Sequence, residues 1–205
     1  MARQGSSALI GFVLTALTAA GASGDVIRGM SAERIREAIA WGESAPEAAL
    51  EQYDLHQERS FVVNFDTPFL RVAQLARAMK IQNSPLEAGD VSPKTTSDTL
   101  TVYVHARFDP AARTEDSFPE VEYLSISRPG PSNAPAQVIA PTAFQSFLRR
   151  VPTSADYDGP ARLAHSAKAV FPLSALSTEG QLKIRFQGGA TQVVKLDPAL
   201  LARVR

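Results

Sequence analysis

The sequence predicts an α+β protein in which N-terminal helices pack on an antiparallel, β-sandwich-like sheet. Three stretches carry that prediction. Leu100 to Phe108 alternates Leu100, Val102, Val104, Ala106 and Phe108 with Thr101, Tyr103, His105 and Arg107, the period-two pattern of a strand with one buried and one wetted face. A wetted face belongs to antiparallel sheets, because parallel strands are covered on both sides and read as continuous apolar runs. Asp66-Thr67-Pro68 followed by Phe69, Val72, Ala73, Ala76 and Met79 is a capped helix start leading into an apolar stripe. Gln181 to Leu196, interrupted at Gly188-Gly189, is a hairpin.

The N-terminus comes first in chain order. Met1 and Arg3 precede a stretch without charge from Gln4 to Gly24, apolar from Ala8 to Ala20, with Ala20 and Ala22 forming an A-x-A site. One positive residue, a short apolar core and a small-residue exit are the features of a secretory signal, and the core is shorter than the ~20 residues a spanning helix needs. Residues 1–22 are therefore expected to be a cleaved signal peptide. The expected destination is the periplasm or the medium, with no integral membrane segment left after cleavage. The remaining chain is expected to form one compact domain, with a helical front region over 23–98 and a sandwich-like region over 99–205.

Ser31 opens a helix through Ile35, Ala38 and Ile39, with Glu33 in its first turn and Gly42 placed to stop it. A second short helix fits Pro46 to Tyr53, and Trp41 at the junction reads as a plug between the helices and the rest of the core. Phe61 to Phe65 is a short strand, and the helix capped at Thr67 runs to about Ile81 with Arg71, Gln74, Arg77 and Lys80 facing away. Asn83 to Asp98, with two prolines and a glycine, reads as a linker.

Beyond the Leu100 strand, Asp109 to Pro119 is polar loop. Val121 to Ser127 is a strand either buried on both faces or bulged. The proline-rich stretch from Arg128 to Pro135 is a surface connector. Phe144, Phe147, Leu148 and Val151 fall at helical spacing after Pro141, so a short amphipathic helix is expected there, ended by Pro152. Ala167 to Leu173 is a further strand. In the final hairpin a Gly188-Gly189-Ala190 loop sets Ile184 against Val194 and Leu182 against Leu196, keeping apolar side chains on one face. Asp197-Pro198 then caps a closing turn of helix.

Composition narrows the function. The chain has no cysteine, so disulfides, thiolate metal sites and a cysteine nucleophile are excluded. Lys and Arg balance Asp and Glu at 21 each, which gives no electrostatic reason to expect nucleic acid as a partner. With three histidines and no H-E-x-x-H, G-x-S-x-G or S-x-x-K, neither a zinc protease site nor a serine elbow is written locally. His105, beside Tyr103 and Arg107, and His165 are the two histidines that could serve a hydrolase with a nearby carboxylate; His56 has less context. Ser154, Asp156 and Asp158 ahead of Gly159 resemble the opening of a calcium loop, but Pro160 and His165 stand where later ligands belong. Glu115, Asp116, Glu120 and Glu122 form a second acidic group of the solvated kind.

The reading is an exported, non-catalytic binding or interaction module of a bacterial-type cell envelope, with an envelope protein as its expected partner and no cofactor. A secreted His/carboxylate hydrolase and a calcium-stabilised module are the alternatives.

Overall fold

The computed structural model describes residues 30–46, 54–57, 61–106, 119–130, 134–151, 162–177, 179–196 and 201. In chain order these form α1 (Ala32–Ser44), β1 (Asp54–Gln57), β2 (Phe61–Asp66), α2 (Pro68–Ile81), β3 (Thr99–Ala106), β4 (Val121–Arg128), β5 (Gln137–Ile139), β6 (Ala143–Val151), β7 (Arg162–Pro172), β8 (Gly180–Phe186) and β9 (Thr191–Leu196). Short 3-10 turns lie at Ala88–Asp90 and Leu173–Ala175. The strands make a five-stranded sheet in the order β1-β2-β3-β7-β6 and a four-stranded sheet in the order β5-β4-β8-β9. All pairings are antiparallel, as the alternation in β3 requires. The signal peptide expected over 1–22, most of the helix expected over Pro46–Tyr53, the Asp109–Pro119 loop up to residue 118 and the Ser154–Gly159 turn lie outside the described residues.

One apolar core joins the two sheets. Phe61, Val63, Phe65, Leu100, Val102, Val104, Ala167, Ala169 and Phe171 from the first meet Val121, Leu124, Ile126, Leu182, Ile184, Phe186, Val194 and Leu196 from the second. The Phe61 and Phe186 rings meet edge to face at 5.7 Å, a favoured aromatic geometry. Of the closing turn only Leu201 is described; it is helical and buried in this core. β2 pairs with β3 along its whole length, so the sheet runs across the expected junction between front and rear regions.

The helices form a second, smaller core. Ser31 caps α1 by accepting from the Arg34 amide at 3.2 Å, and Thr67 caps α2 by accepting from the Leu70 amide at 3.3 Å. Ala38, Ile39, Phe69, Val72 and Ala76 pack between them. Three expectations are corrected here. Gly42 does not end α1, which continues to Ser44; a Cβ at Gly42 would lie 2.1 Å from the Ala73 carbonyl oxygen, so glycine is what lets the two backbones touch. Trp41 packs on Phe69, with ring centroids 5.9 Å apart, and stays within the helical clusters instead of plugging the sheet core. The Asn83–Asp98 segment is not a bare linker: Leu86 is buried between the helices, and Glu87 and Asp90 make reciprocal caps around a 3-10 turn.

The basic face of α2 is also not simply solvated. Arg77 donates to the Ala45 carbonyl at 2.9 Å and Lys80 to that of Glu43 at 2.7 Å, satisfying the free carbonyls at the end of α1. Arg71 reaches the other way. Its guanidinium donates to the Ser97 hydroxyl at 3.1 Å and to both the carbonyl and the hydroxyl of Thr99, fastening α2 to the start of β3.

Residues Ala143–Val151 are a strand, β6, and not a helix. Phe144 lies opposite Ala169 and Phe147 opposite Ser166, so the apolar residues fall on both faces of a sheet edge and their spacing only imitates a helix. Nine residues of pairing with β7 outweigh that local pattern. In the final hairpin the observed register sets Leu182 against Val194 and Ile184 against Gln192, a shift of two residues from the expected one. A shift of two leaves every side chain on its face, so burial cannot choose between the registers. The turn chooses. Phe186 donates its amide to the Ala190 carbonyl at 2.9 Å, and Gly188 and Gly189 take φ of +86° and +89°, which side-chain-bearing residues rarely adopt. β4 is both bulged, between Val121 and Tyr123, and buried beyond the bulge at Leu124, Ser125 and Ile126. The short strands β1 and β5 were not expected.

Candidate functional site

The side of the five-stranded sheet turned away from the core is built by cross-strand register. Asp66, Thr101 and Val170 share one row across β2, β3 and β7; Asn64, Tyr103, Lys168 and Gln145 share the next; Val62, His105, Ser166 and Phe147 share the third. On β3 this is the face expected to be wetted. Instead Thr101 and Ser166 are buried and most of the rest are half-buried.

Tyr103 and His105, two residues apart on one strand, stack at 5.6 Å between ring centroids with planes 18° apart. The Lys168 ammonium sits 5.7 Å from the centre of the Tyr103 ring. Such stacked and cation–π contacts contribute on the order of 0.5–1 kcal/mol each, enough to hold the side chains in one arrangement. Ser166, next to His105 in its row, has a buried hydroxyl with no hydrogen-bond partner among the described residues. At the helix end of the face, Asp66 lies 3.4 Å from the Arg71 guanidinium. Burial pushes its carboxyl above the usual range, while the charges of Arg71 and Lys168 pull the other way. The face therefore presents aromatic, cationic and amide groups in fixed rows.

His105 thus lies in the third row of this face, on its middle strand. Its cross-strand neighbour supplies a hydroxyl, Ser166, but the carboxylate of the face, Asp66, pairs with Thr101. Four residues of strand separate Thr101 from His105, roughly 13 Å at the usual rise, so serine, histidine and carboxylate do not line up. His165 sits on the opposite side of the sheet, paired with Leu148. The two candidate histidines do not share a site. Ser154, Asp156 and Asp158 lie outside the described residues. Among the described residues no three His, Asp or Glu side chains come together as metal ligands would. Glu122 pairs with Arg185 at 3.2 Å, both partly exposed, a solvated ion pair of small energetic weight.

Sequence reasoning did not find Asn64, Ser166, Lys168 or Gln145 as members of this face. The signal was weak but present: Asn64 and Asp66 are polar residues two apart in an otherwise apolar strand, and Ser166 and Lys168 alternate with Ala167 and Ala169.

A second feature is the β6 edge. β6 is paired on one side only among the described residues. Phe144 and Leu148 on it, and Leu163 beside it on β7, are exposed, Leu148 at 54% and Leu163 at 60%. No acidic residue occurs from Tyr123 to Ala155, while Arg128, Arg149 and Arg150 do.

No protein-family model matches the chain, and neither a curated protein nor a solved structure matches it. Among the described residues no helix is long and apolar enough to cross a membrane.

Proposed function

We propose that the protein is an exported, non-catalytic binding module of a bacterial-type cell envelope, and that it recognises an envelope protein on the outer face of its five-stranded sheet. The observation that carries the reading is the central row, where Tyr103, stacked on His105 and covered by Lys168, lies between Asn64 and Lys168 in a register fixed by backbone pairing. Tyrosine and histidine combine a flat apolar body with a polar tip, which suits recognition of a protein surface. Preorganised side chains also lose little freedom on binding. Export is supported by the leader-like pattern of residues 1–22, and the compartment is periplasmic or extracellular.

The test is chemical cross-linking in the native host followed by purification of the tagged exported protein. A specific envelope protein should accompany the wild type in stoichiometric amount. It should be lost from Tyr103→Ala and Lys168→Glu while thermal stability changes little. Equal recovery with those variants places binding elsewhere on the surface. Recovery of the wild-type protein alone refutes the reading.

A further inference from the structure

The β6 edge has a property that follows from its own sequence. Residues Ala143–Val151 have Phe147 at their midpoint, so full-length antiparallel pairing of this strand with a second copy must centre on Phe147. That register places Phe147 opposite itself, Gln145 opposite Arg149, Ser146 opposite Leu148, and Phe144 opposite Arg150. No arginine faces an arginine, and each of the two has a suitable partner: the Gln145 amide accepts hydrogen bonds from a guanidinium, and the Phe144 ring attracts one. Along the strand the two Arg149 residues end up four residues apart, roughly 13 Å, beyond the ~8 Å screening length at physiological salt. The strand carries no acidic residue, so the pairing meets no carboxylate repulsion either.

The same register flanks apolar residues that are exposed on this edge among the described residues. Phe144, Leu148 and the neighbouring Leu163 are exposed on the free chain and lie on one side of the strand pair with Ser146 and Arg150. A second β6 brings its own Phe144, Ser146, Leu148 and Arg150 to that side, while Leu163, on β7 opposite Arg150, stays one strand away from it. Proline is absent from the strand itself, although Pro141 and Pro152 bracket it, so no missing amide hydrogen interrupts the edge ladder.

We propose that β6 is an interface between two copies of this chain, paired antiparallel about Phe147 so that two five-stranded sheets join edge to edge. The two-fold axis of such a pair is perpendicular to the sheet. Both outer faces then point the same way and form one bivalent surface. The pairing stands on the edge alone and does not depend on the recognition proposed above; capture of an envelope partner and dimer formation can fail separately.

Sedimentation velocity on the exported protein over a range of concentrations should show a reversible monomer–dimer equilibrium. Because the chain has no cysteine, a disulfide trap reads the register. Paired positions in an antiparallel ladder lie about 4.5–5.5 Å apart at Cα, within disulfide reach. Phe147→Cys should therefore cross-link to a covalent dimer on mild oxidation. Gln145→Cys alone should not, whereas the double variant Gln145→Cys/Arg149→Cys should, and its exposed positions cover the case in which Phe147→Cys unfolds. A monomer at every concentration overturns the proposal, as does a dimer in which Gln145→Cys alone links as readily as the paired positions. A monomer whose β6 amides become protected from exchange only in host extract would assign the edge to a foreign strand and also overturn it.

Discussion

Replacing Gly42 by alanine tests how the two helices meet. The added methyl would lie 2.1 Å from the Ala73 oxygen, 2.7 Å from its carbonyl carbon and 2.8 Å from its Cα. Ordinary carbon contacts are about 3.5–4.0 Å, so the helices must part by more than 1 Å, roughly the shortfall against that contact distance. All three obstructing atoms are backbone, and no rotamer change relieves them. Two terms oppose each other. Alanine is favoured over glycine within a helix by ~0.8–1 kcal/mol, while overpacking against a rigid neighbour costs ~1–3 kcal/mol and sometimes more.

The backbone contact puts Gly42→Ala at the upper end of the overpacking range, leaving a net loss of about 2 kcal/mol after the propensity gain. For a chain of this size that lowers Tm by about 4–8 °C. Thermal melts followed by circular dichroism, with urea titration as a second measure, give the change. Ala73→Gly should not rescue the loss, because the clash is with the backbone of Ala73 and not its methyl. A Gly42→Ala protein as stable as wild type, or rescue by Ala73→Gly, would refute the close approach.

Three further outcomes follow from the same reasoning. Thr67→Ala removes the cap of α2 and should cost about 1 kcal/mol in urea unfolding, with Thr67→Ser recovering most of it. Leu124→Ala, at a fully buried core position, should cost ~2–5 kcal/mol, whereas Val193→Ala at an exposed one should stay within about 0.5 kcal/mol. Asp66 has its folded-state pKa raised by burial above the ordinary carboxyl value of 3.8, so between that value and the raised one the folded state holds the proton more tightly than the unfolded chain. Its contribution is complete below 3.8 and is lost as pH rises through the folded pKa. Stability measured from about pH 4 to pH 7 should therefore fall less in Asp66→Asn than in wild type; a steeper fall in the variant contradicts the assignment.

What could be read from the sequence was what is local. The Thr67 cap and Pro68 define α2 without help from the rest of the chain, and the alternation of β3 defines both its strand and the antiparallel sense of its sheet. The hairpin shows the limit: apolar alternation in β8 and β9 fixed which side chains are buried, but two registers of equal parity satisfy it, and the hydrogen bonds around Gln187 and Gly188 decide between them. β6 was misread because an edge strand has apolar residues on both faces, and β1 and β5, of four and three residues, are too short to show any period. Gly42 looks like a helix stop until α2 is placed against it.

The recognition face was hidden for a related reason. His105 was visible as a polar residue on the wetted side of β3, yet its setting comes from β2 and β7, about forty residues before it and sixty after. Only cross-strand pairing brings Asn64 and Lys168 to Tyr103 and Ser166 to His105. The buried Ser166 and half-buried Tyr103 also show that alternation predicts the direction of a side chain better than its exposure.

The most direct test of the binding account is site-specific photo-cross-linking in the native host. A photoreactive residue in place of Val170 probes the outer face of the five-stranded sheet, and one in place of Lys183 probes the outward side of the other sheet, where Lys183 is exposed. A discrete adduct with an envelope protein from position 170, and none from position 183, is the result expected. An adduct from position 183 alone, or none from position 170, would contradict the placement of recognition on the Tyr103 face.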